Sequence, residues 1–275
     1  MYRRLNALAW DQVHSWPQLE AAIAALGSEQ DRGEAFEEFC YAYFTLESQL
    51  YQVKDGWRFR DVPRAILDRL GTATIQDKGI DGILLHDDGT ITAYQSKFRV
   101  DRSATPSQRE LSTFYMVSDR ADYRLVISNV ADLPSVIKER KDHGQILVDQ
   151  LLDLDQTFFA RLGELVVGGA ISAKEAIDPR PYQAEALENV VCGFRDADRG
   201  QVILACGAGK TLVGKWVFDR LSCKSALIMV PSLALMRQTL GEWHRANSTA
   251  FRYLCVCSDR TVDAQAEDSW VSADR

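Results

Sequence analysis

The 275-residue sequence predicts an α/β protein in two parts. Three observations carry that expectation. Apolar runs of strand length alternate with helical periods between residues 80 and 162, and the alternation resumes past residue 181. A strand, a glycine-rich turn and a helix start follow one another over residues 202–211. Between the parts, Gly168-Gly169 and Asp178-Pro179-Arg180-Pro181 punctuate the chain.

The elements follow in order. Residues 21–26 are alanine-rich and helical, with Gly27-Ser28 as the stop. A second helix is expected over 32–47, because Phe36, Phe39, Cys40, Tyr43 and Phe44 fall at helical spacing. Residues 54–61, charged and aromatic, read as a loop. Ile80 to Leu85 is a short apolar strand, Asp87-Asp88-Gly89 a hairpin turn, and 90–98 the returning strand. A helix over 108–117, a strand over 124–128, a helix over 133–140, a strand over 145–148 and helix over 150–162 complete the first part. In the second part, helices are expected over 182–194, 211–221 and 232–243. Strands are expected over 200–205, 226–230 (buried) and 251–257, giving a parallel sheet.

Composition narrows the function classes. Hydrophobic residues make 46% and charged residues 26%, which supports a packed core and excludes disordered and collagen-like chains. No run reaches the roughly 18 apolar residues of a membrane span, and the N-terminus lacks the apolar run of a signal peptide. The six cysteines show no CxxC pair and the four histidines stand alone, which argues against zinc and for free thiols in a reducing cytoplasm. The net charge of −7 argues against coating nucleic acid by bulk positive charge. A local basic strip on DNA remains open, with affinity that is modest and salt-sensitive.

The glycine-rich turn is Cys206-Gly207-Ala208-Gly209-Lys210-Thr211. Its glycines let backbone N–H groups face a phosphate. Lys210 neutralises the β/γ oxygens of ATP, and the Thr211 hydroxyl holds Mg²⁺. The usual first glycine of the general motif is absent; Leu204 stands there. The shorter pattern resembles that of superfamily 2 helicases. Arg180-Pro181-Tyr182-Gln183 resembles the adenine-reading element of that family, and Ala226 to Ser232 its next element, which contacts the DNA backbone. The resemblance spans about residues 178–240. It implies a RecA-like lobe with ATP held by Gln183, Gly207, Ala208, Gly209, Lys210 and Thr211. No Asp-Glu-x-His box follows, and Glu267-Asp268 lacks a preceding apolar strand. The chain therefore reads as an N-terminal fragment whose motor is incomplete and hydrolyses ATP poorly.

The second constellation is Asp81 with Gln95-Ser96-Lys97, and Glu37 upstream. Gln95 and Lys97 are two residues apart on one strand and share a face. Phosphodiester cleavage needs a divalent metal and a cation near the developing charge. A carboxylate, an amide oxygen and a lysine supply those parts, although glutamine brings an oxygen without charge. Gly33-Glu34-Ala35-Phe36-Glu37, Gly79-Ile80-Asp81 and Gln95-Ser96-Lys97 resemble, in order and spacing, the PD-(D/E)XK nucleases of the Mrr-like branch. The resemblance covers about residues 30–150. It implies Asp81 and Gln95 as Mg²⁺ (or Mn²⁺) ligands, the Ser96 carbonyl as a third, Lys97 as the catalytic lysine, and Glu37 reaching the metal directly or through water. Asp77 is a weaker candidate.

The fold class expected is thus a restriction-endonuclease-like αβ core followed by a partial RecA-like parallel α/β lobe. The domains expected are a helical extension over 1–29, the nuclease over 30–167, a linker over 168–178 and the partial lobe over 179–275. Arg58, Arg60, Arg64 and Arg69 near Trp57, with Arg99, Arg102 and Arg109, are candidates for DNA phosphates or plain solvated charge. Trp10 and Trp16 read as core or docking residues. The layout resembles type I, type III and type ISP restriction proteins, which implies double-stranded DNA cleavage coupled to ATP-driven translocation in anti-phage defence. Methyltransferase or specificity subunits would be partners, and no membrane is involved. Two alternatives stay open: a catalytically degenerate nuclease fold that seats a helicase on DNA, and an unrelated P-loop phosphotransferase.

Overall fold

Side-chain caps set several helix starts in the computed structural model, which describes residues 2–71, 79–168, 171–172, 177–246 and 251–256. The chain divides into two compact units, Met1–Ser172 and Ala173–Arg275. In the first unit, α1 (Trp16–Ala24) precedes α2 (Glu29–Leu46). α2 starts a turn earlier than its apolar period predicts, because the Ser28 side chain accepts the Asp31 N–H at 3.0 Å. Its buried face carries Phe36, Phe39, Cys40, Tyr43 and Phe44, as the spacing predicts.

Residues 54–61 are not a loop. Strand β1 (Val53–Arg58) and a 3-10 turn (Phe59–Asp61) stand there. β1 pairs antiparallel with β2 (Gly82–His86) through a bulge near Val53, and it forms the sheet edge. A bulged edge strand needs no clean apolar alternation, so its charged sequence hid it. A short α3 (Arg64–Arg69) follows β1. The hairpin then forms as predicted: Gly89 takes φ +85°, and β3 (Ile91–Lys97) returns antiparallel to β2.

α4 (Gln108–Val117) is fixed by a capping box between Ser107 and Glu110. β4 (Tyr123–Ser128) runs parallel to β3. α5 shrinks to Ser135–Lys138, beginning after Pro134, and β5 (His143–Ile146) runs parallel to β4. The helix expected over 150–162 is two helices, α6 (Val148–Leu152) and α7 (Gln156–Val167), because Asp155 caps a new start by accepting the Phe158 N–H at 2.8 Å. The sheet order is β1-β2-β3-β4-β5, two antiparallel pairs followed by two parallel ones. β3 is central and buried from Ile91 to Ser96. Phe44 of α2 packs on Tyr94 with ring centroids 5.3 Å apart. Ile91, Ala93, Ile83 and Val126 join a core cluster with Leu111 and Phe114 of α4 and Leu67 of α3. Trp16 is wholly buried in the core, and the half-buried Trp10 packs on Gly163.

In the second unit, α8 (Pro181–Gly193), α9 (Lys210–Arg220) and α10 (Leu233–Arg245) lie where helices are predicted. The strands do not. Among the described residues, 200–205, 226–230 and 251–256 form no sheet pairing. The run expected to be buried leaves Leu227 and Met229 at 88% and 85% exposure. A strand exists only through its ladder, so apolar β-type sequence without a paired neighbour stays in water as extended chain.

Candidate functional site

The hairpin β2–β3 and helix α2 bring the predicted nuclease residues to one place. Asp81 sits just before β2, where its N–H donates to the Tyr94 carbonyl at 3.0 Å and its own carbonyl accepts from Phe59 N–H at 2.9 Å. One carboxylate oxygen of Asp81 accepts the Ser96 N–H at 2.6 Å and the Ser96 hydroxyl at 2.7 Å. Charge-assisted bonds of this kind fix the carboxylate's orientation. Gln95 is buried, and among the described residues its Oε1 meets no hydrogen-bond donor. A cavity of about 330 Å³ is lined by Glu37, Gly79, Asp81, Gln95, Ser96 and Lys97, with Arg32 and Arg99 beside them. Gly79 takes φ +84°, and a Cβ there would stand 3.2 Å from Gln95 Nε2, so the Gly79 backbone seats the glutamine amide.

Glu37 lines the cavity from α2, and its carboxylate lies 3.6 Å from Arg58. The sequence did not single out this pairing. Arg58 is buried, and its other guanidinium nitrogen lies 3.6 Å from Glu38. Glu38 in turn accepts the N–H groups of Arg3, Arg4 and Leu5 at 2.8–3.0 Å. The Cys40 thiol, wholly buried behind this site, is pushed well above its usual range by burial and then by the charges of Asp81 and Glu37.

The predicted arginine strip is largely paired within the chain. Arg60 meets Asp61 at 3.7 Å, Arg64 meets Asp68 at 3.1 Å, and Arg69 donates to the Gly89 carbonyl at 3.0 Å. Arg99 pairs with Glu110, and Arg102 donates to Glu20 at 2.9 Å. Trp57 is half-buried against the core cluster. Asp77 and Glu267-Asp268 lie outside the described residues. Among the described residues no three His, Cys, Asp or Glu side chains converge as a metal cluster.

In the second unit, Gly207 and Gly209 take φ +74° and +75°, a backbone that favours glycine. Lys210 Nζ donates to the Leu204 and Ala205 carbonyls at 3.0 and 2.8 Å. Gln183 is buried, and both ends of its amide are engaged. Its Nε2 donates to the Ala208 carbonyl at 2.8 Å, and its Oε1 accepts the Arg180 N–H at 2.8 Å. Trp243 Nε1 donates to the Thr211 carbonyl at 3.0 Å, tying α10 to the start of α9. The structure thus gathers Gln183, Ala208, Gly209 and Lys210 around one loop.

Comparison with known proteins agrees with this second unit. Residues 176–270 match the family described as type III restriction enzyme, res subunit. A probable helicase, A859L, of African swine fever virus (strain Badajoz 1971 Vero-adapted) is 27% identical over 157 residues, covering 55% of this chain. The homologue from the isolate Tick/Malawi/Lil 20-1/1983 is 29% identical over 160 residues. The chain spans 18% of the length of each. Among solved structures, the ATP-dependent type ISP restriction-modification enzyme LlaBIII bound to DNA superposes with a TM-score of 0.71 at 21% identity, over 95% of this chain and 17% of that one. Part of the chain is thus similar to helicases and to restriction enzymes, and the chain has the fold of part of LlaBIII. No helix among the described residues is long and apolar enough to cross a membrane.

Proposed function

We propose that the first unit is a metal-dependent DNA endonuclease of the Mrr-like PD-(D/E)XK type, and that the second is the leading part of an ATP-driven superfamily 2 translocase. Together they would act in restriction of foreign DNA. The observation that carries the nuclease reading is Gln95 Oε1, a buried acceptor with no donor among the described residues, on the cavity it shares with Asp81 and Lys97. A buried oxygen left in this way costs free energy unless something fills the gap. The carboxylate of Asp81 and the amide oxygen of Gln95 suit a hard divalent ion. When bound, Mg²⁺ or Mn²⁺ would supply charge stabilisation at the scissile phosphate and an activated water.

The chain's own groups do the rest. Ser96 holds one Asp81 oxygen with two hydrogen bonds, which leaves the carboxylate little rotational freedom. Lys97 lines the cavity and would bring its ammonium there, where negative charge grows on the phosphate during attack. Arg58 restrains Glu37 at the cavity wall. In the second unit, the left-handed backbone at Gly207 and Gly209 presents N–H groups for the phosphates of ATP. Lys210, now on its own loop's carbonyls, would exchange them for the β/γ oxygens.

One observation favours the degenerate alternative: no three acidic, His or Cys side chains converge among the described residues. Cleavage of plasmid and linear duplex in Mg²⁺ and in Mn²⁺, with and without ATP, separates the two. The endonuclease predicts metal-dependent cutting abolished by Lys97→Ala and by Asp81→Ala. Duplex binding without cutting under every condition, unchanged by Lys97→Ala, would establish the binding module instead.

A further inference from the structure

We propose that Asn129 is a positioning residue for Lys97: its side chain stands in for a strand neighbour and keeps the chain extended past the last ladder pair of β3. This rests on the nuclease reading of the same cavity and deepens it. The sheet sets the need for such a residue. On the β2 side, the ladder on β3 stops at Tyr94, which faces Gly82. On the β4 side it stops at Lys97, which faces Ser128. Lys97 is the last residue of β3, and it lines the cavity. A strand end whose ladder has run out on both sides has no backbone partner to hold the chain that leaves it.

Side chains take over where the ladders end. From the β2 side, the Asp81 carboxylate accepts the Ser96 N–H at 2.6 Å. From the β4 side, the Ser128 hydroxyl donates to the Lys97 carbonyl at 2.6 Å. Asn129 then engages both backbone groups of Arg99. Its Oδ1 accepts the Arg99 N–H at 2.7 Å, and its Nδ2 donates to the Arg99 carbonyl at 2.6 Å. These are the two bonds that a neighbouring strand would make. Nδ2 also donates to Glu20 of α1 at 2.7 Å, and Glu20 accepts Arg102 Nε at 2.9 Å. The amide thus uses its oxygen once and its nitrogen twice, which fixes its orientation. Ser128 and Asn129 are wholly buried. Because the chain stays extended, its side chains keep alternating. Phe98 turns to α2, with its ring centroid 5.6 Å from that of Phe36. Gln95, Lys97 and Arg99, at alternate positions, all line the cavity. Lys97 therefore lies between two anchored residues, Ser96 on Asp81 and Arg99 on Asn129. Asn129 is not among the residues that line the cavity, so it acts through the chain that it holds.

The test is cleavage of a linear duplex by the whole chain in Mn²⁺, beside Mn²⁺ binding read by electron paramagnetic resonance. Mn²⁺ at the site is the part lost on Asp81→Asn. Asn129→Ala should lower kcat at least tenfold, since a misplacement of about 1 Å costs about a hundredfold. The duplex KM and the Mn²⁺ affinity of the site should stay within about threefold, because Asp81 and Gln95 are held by bonds that Asn129 does not make. A merely structural role would take all three down together. Glu20→Ala is the second variant, for the case in which Asn129→Ala does not fold. It removes the partner that orients the amide and should lower kcat at least about threefold, with KM and Mn²⁺ affinity again kept. Glu20→Gln, whose amide oxygen still accepts from Asn129, should recover most of that loss. A smaller fall in kcat than these overturns the inference and leaves the nuclease reading standing. So does a fall in kcat matched by an equal loss of Mn²⁺ affinity. A wild-type chain that cuts no duplex, with or without ATP, overturns the nuclease reading and this inference with it.

Discussion

Substituting Gly82 by alanine should destabilise the hairpin that carries the candidate site, against the usual sign for such a change. Gly82 has no left-handed backbone, so alanine fits its φ, ψ without strain. On backbone grounds alone the change should stabilise by about 0.4–1 kcal/mol, by narrowing the unfolded ensemble. The side-chain geometry says otherwise. A Cβ on Gly82 would lie 2.3 Å from both Cζ and Oη of Tyr94, and 2.5 Å from Cε1. Tyr94 cannot step aside freely: it is 1% exposed and packs on Phe44 at 5.3 Å. Forcing a fully packed ring to move costs about 1–3 kcal/mol. The displaced strand is the one that carries Gln95 and Lys97, and its Tyr94 carbonyl accepts the Asp81 N–H. Native-state hydrogen exchange at the amides of β2 and β3 reads this loss without requiring both units to unfold together. The control is Tyr94→Leu. With the ring gone, Gly82→Ala should turn from a cost into the backbone gain of about 0.4–1 kcal/mol, so the pair should show a coupling of about 1–3 kcal/mol. An equal cost in both backgrounds, or a gain in protection in the wild-type background, would refute the steric account.

Three further predictions follow from buried groups. Burial lowers His143 to about 4, with its Nδ1 2.6 Å from the Tyr115 hydroxyl. The unfolded chain then binds more protons between that value and the usual 6.5, so stability contributed by neutral His143 is present above pH 6.5 and is lost as pH falls towards 4, by up to about 3 kcal/mol. His143→Gln should remove that slope from the difference in denaturant stability against pH; an unchanged slope would sink the assignment. Lys215 is 1% exposed, bonded to Asp219 at 2.6 Å and ringed by Phe218, Trp243 and Phe251 at 6.0 Å each. Lys215→Met should be near neutral or stabilising in thermal melting, whereas Asp219→Ala, which strands the ammonium, should cost about 1–3 kcal/mol. At Gly209, a Cβ would meet Gln183 Nε2 at 2.5 Å on a backbone with φ +75°. Gly209→Ala should therefore weaken binding of a fluorescent ATP analogue at least tenfold, by about 1.4 kcal/mol or more, with helicity by circular dichroism retained.

What the sequence determined by itself is what forms over three or four residues or one turn. Ser107 and Glu110 announce α4, Ser232 announces α10, and Asp88-Gly89 closes the hairpin, because caps and turns are satisfied by their own neighbours. The same locality placed Gln95 and Lys97 on one face of β3, and put Gly207 and Gly209 at the head of α9. Tertiary structure alone decided what depends on distant partners. β1 is a strand only because β2 lies beside it, and its charged edge sequence carries no sign of that. The runs at 200–205, 226–230 and 251–256 carry strand-like sequence yet no ladder among the described residues. Glu37 and Arg58, apart in sequence and each plausible as surface charge, meet only when α2 covers the sheet. Asn129 reaches back to Glu20 at 2.7 Å across most of the first unit. Such pairings carry no periodic signature, since the entropy of closing a long loop is offset by the packed core as a whole rather than by any local motif.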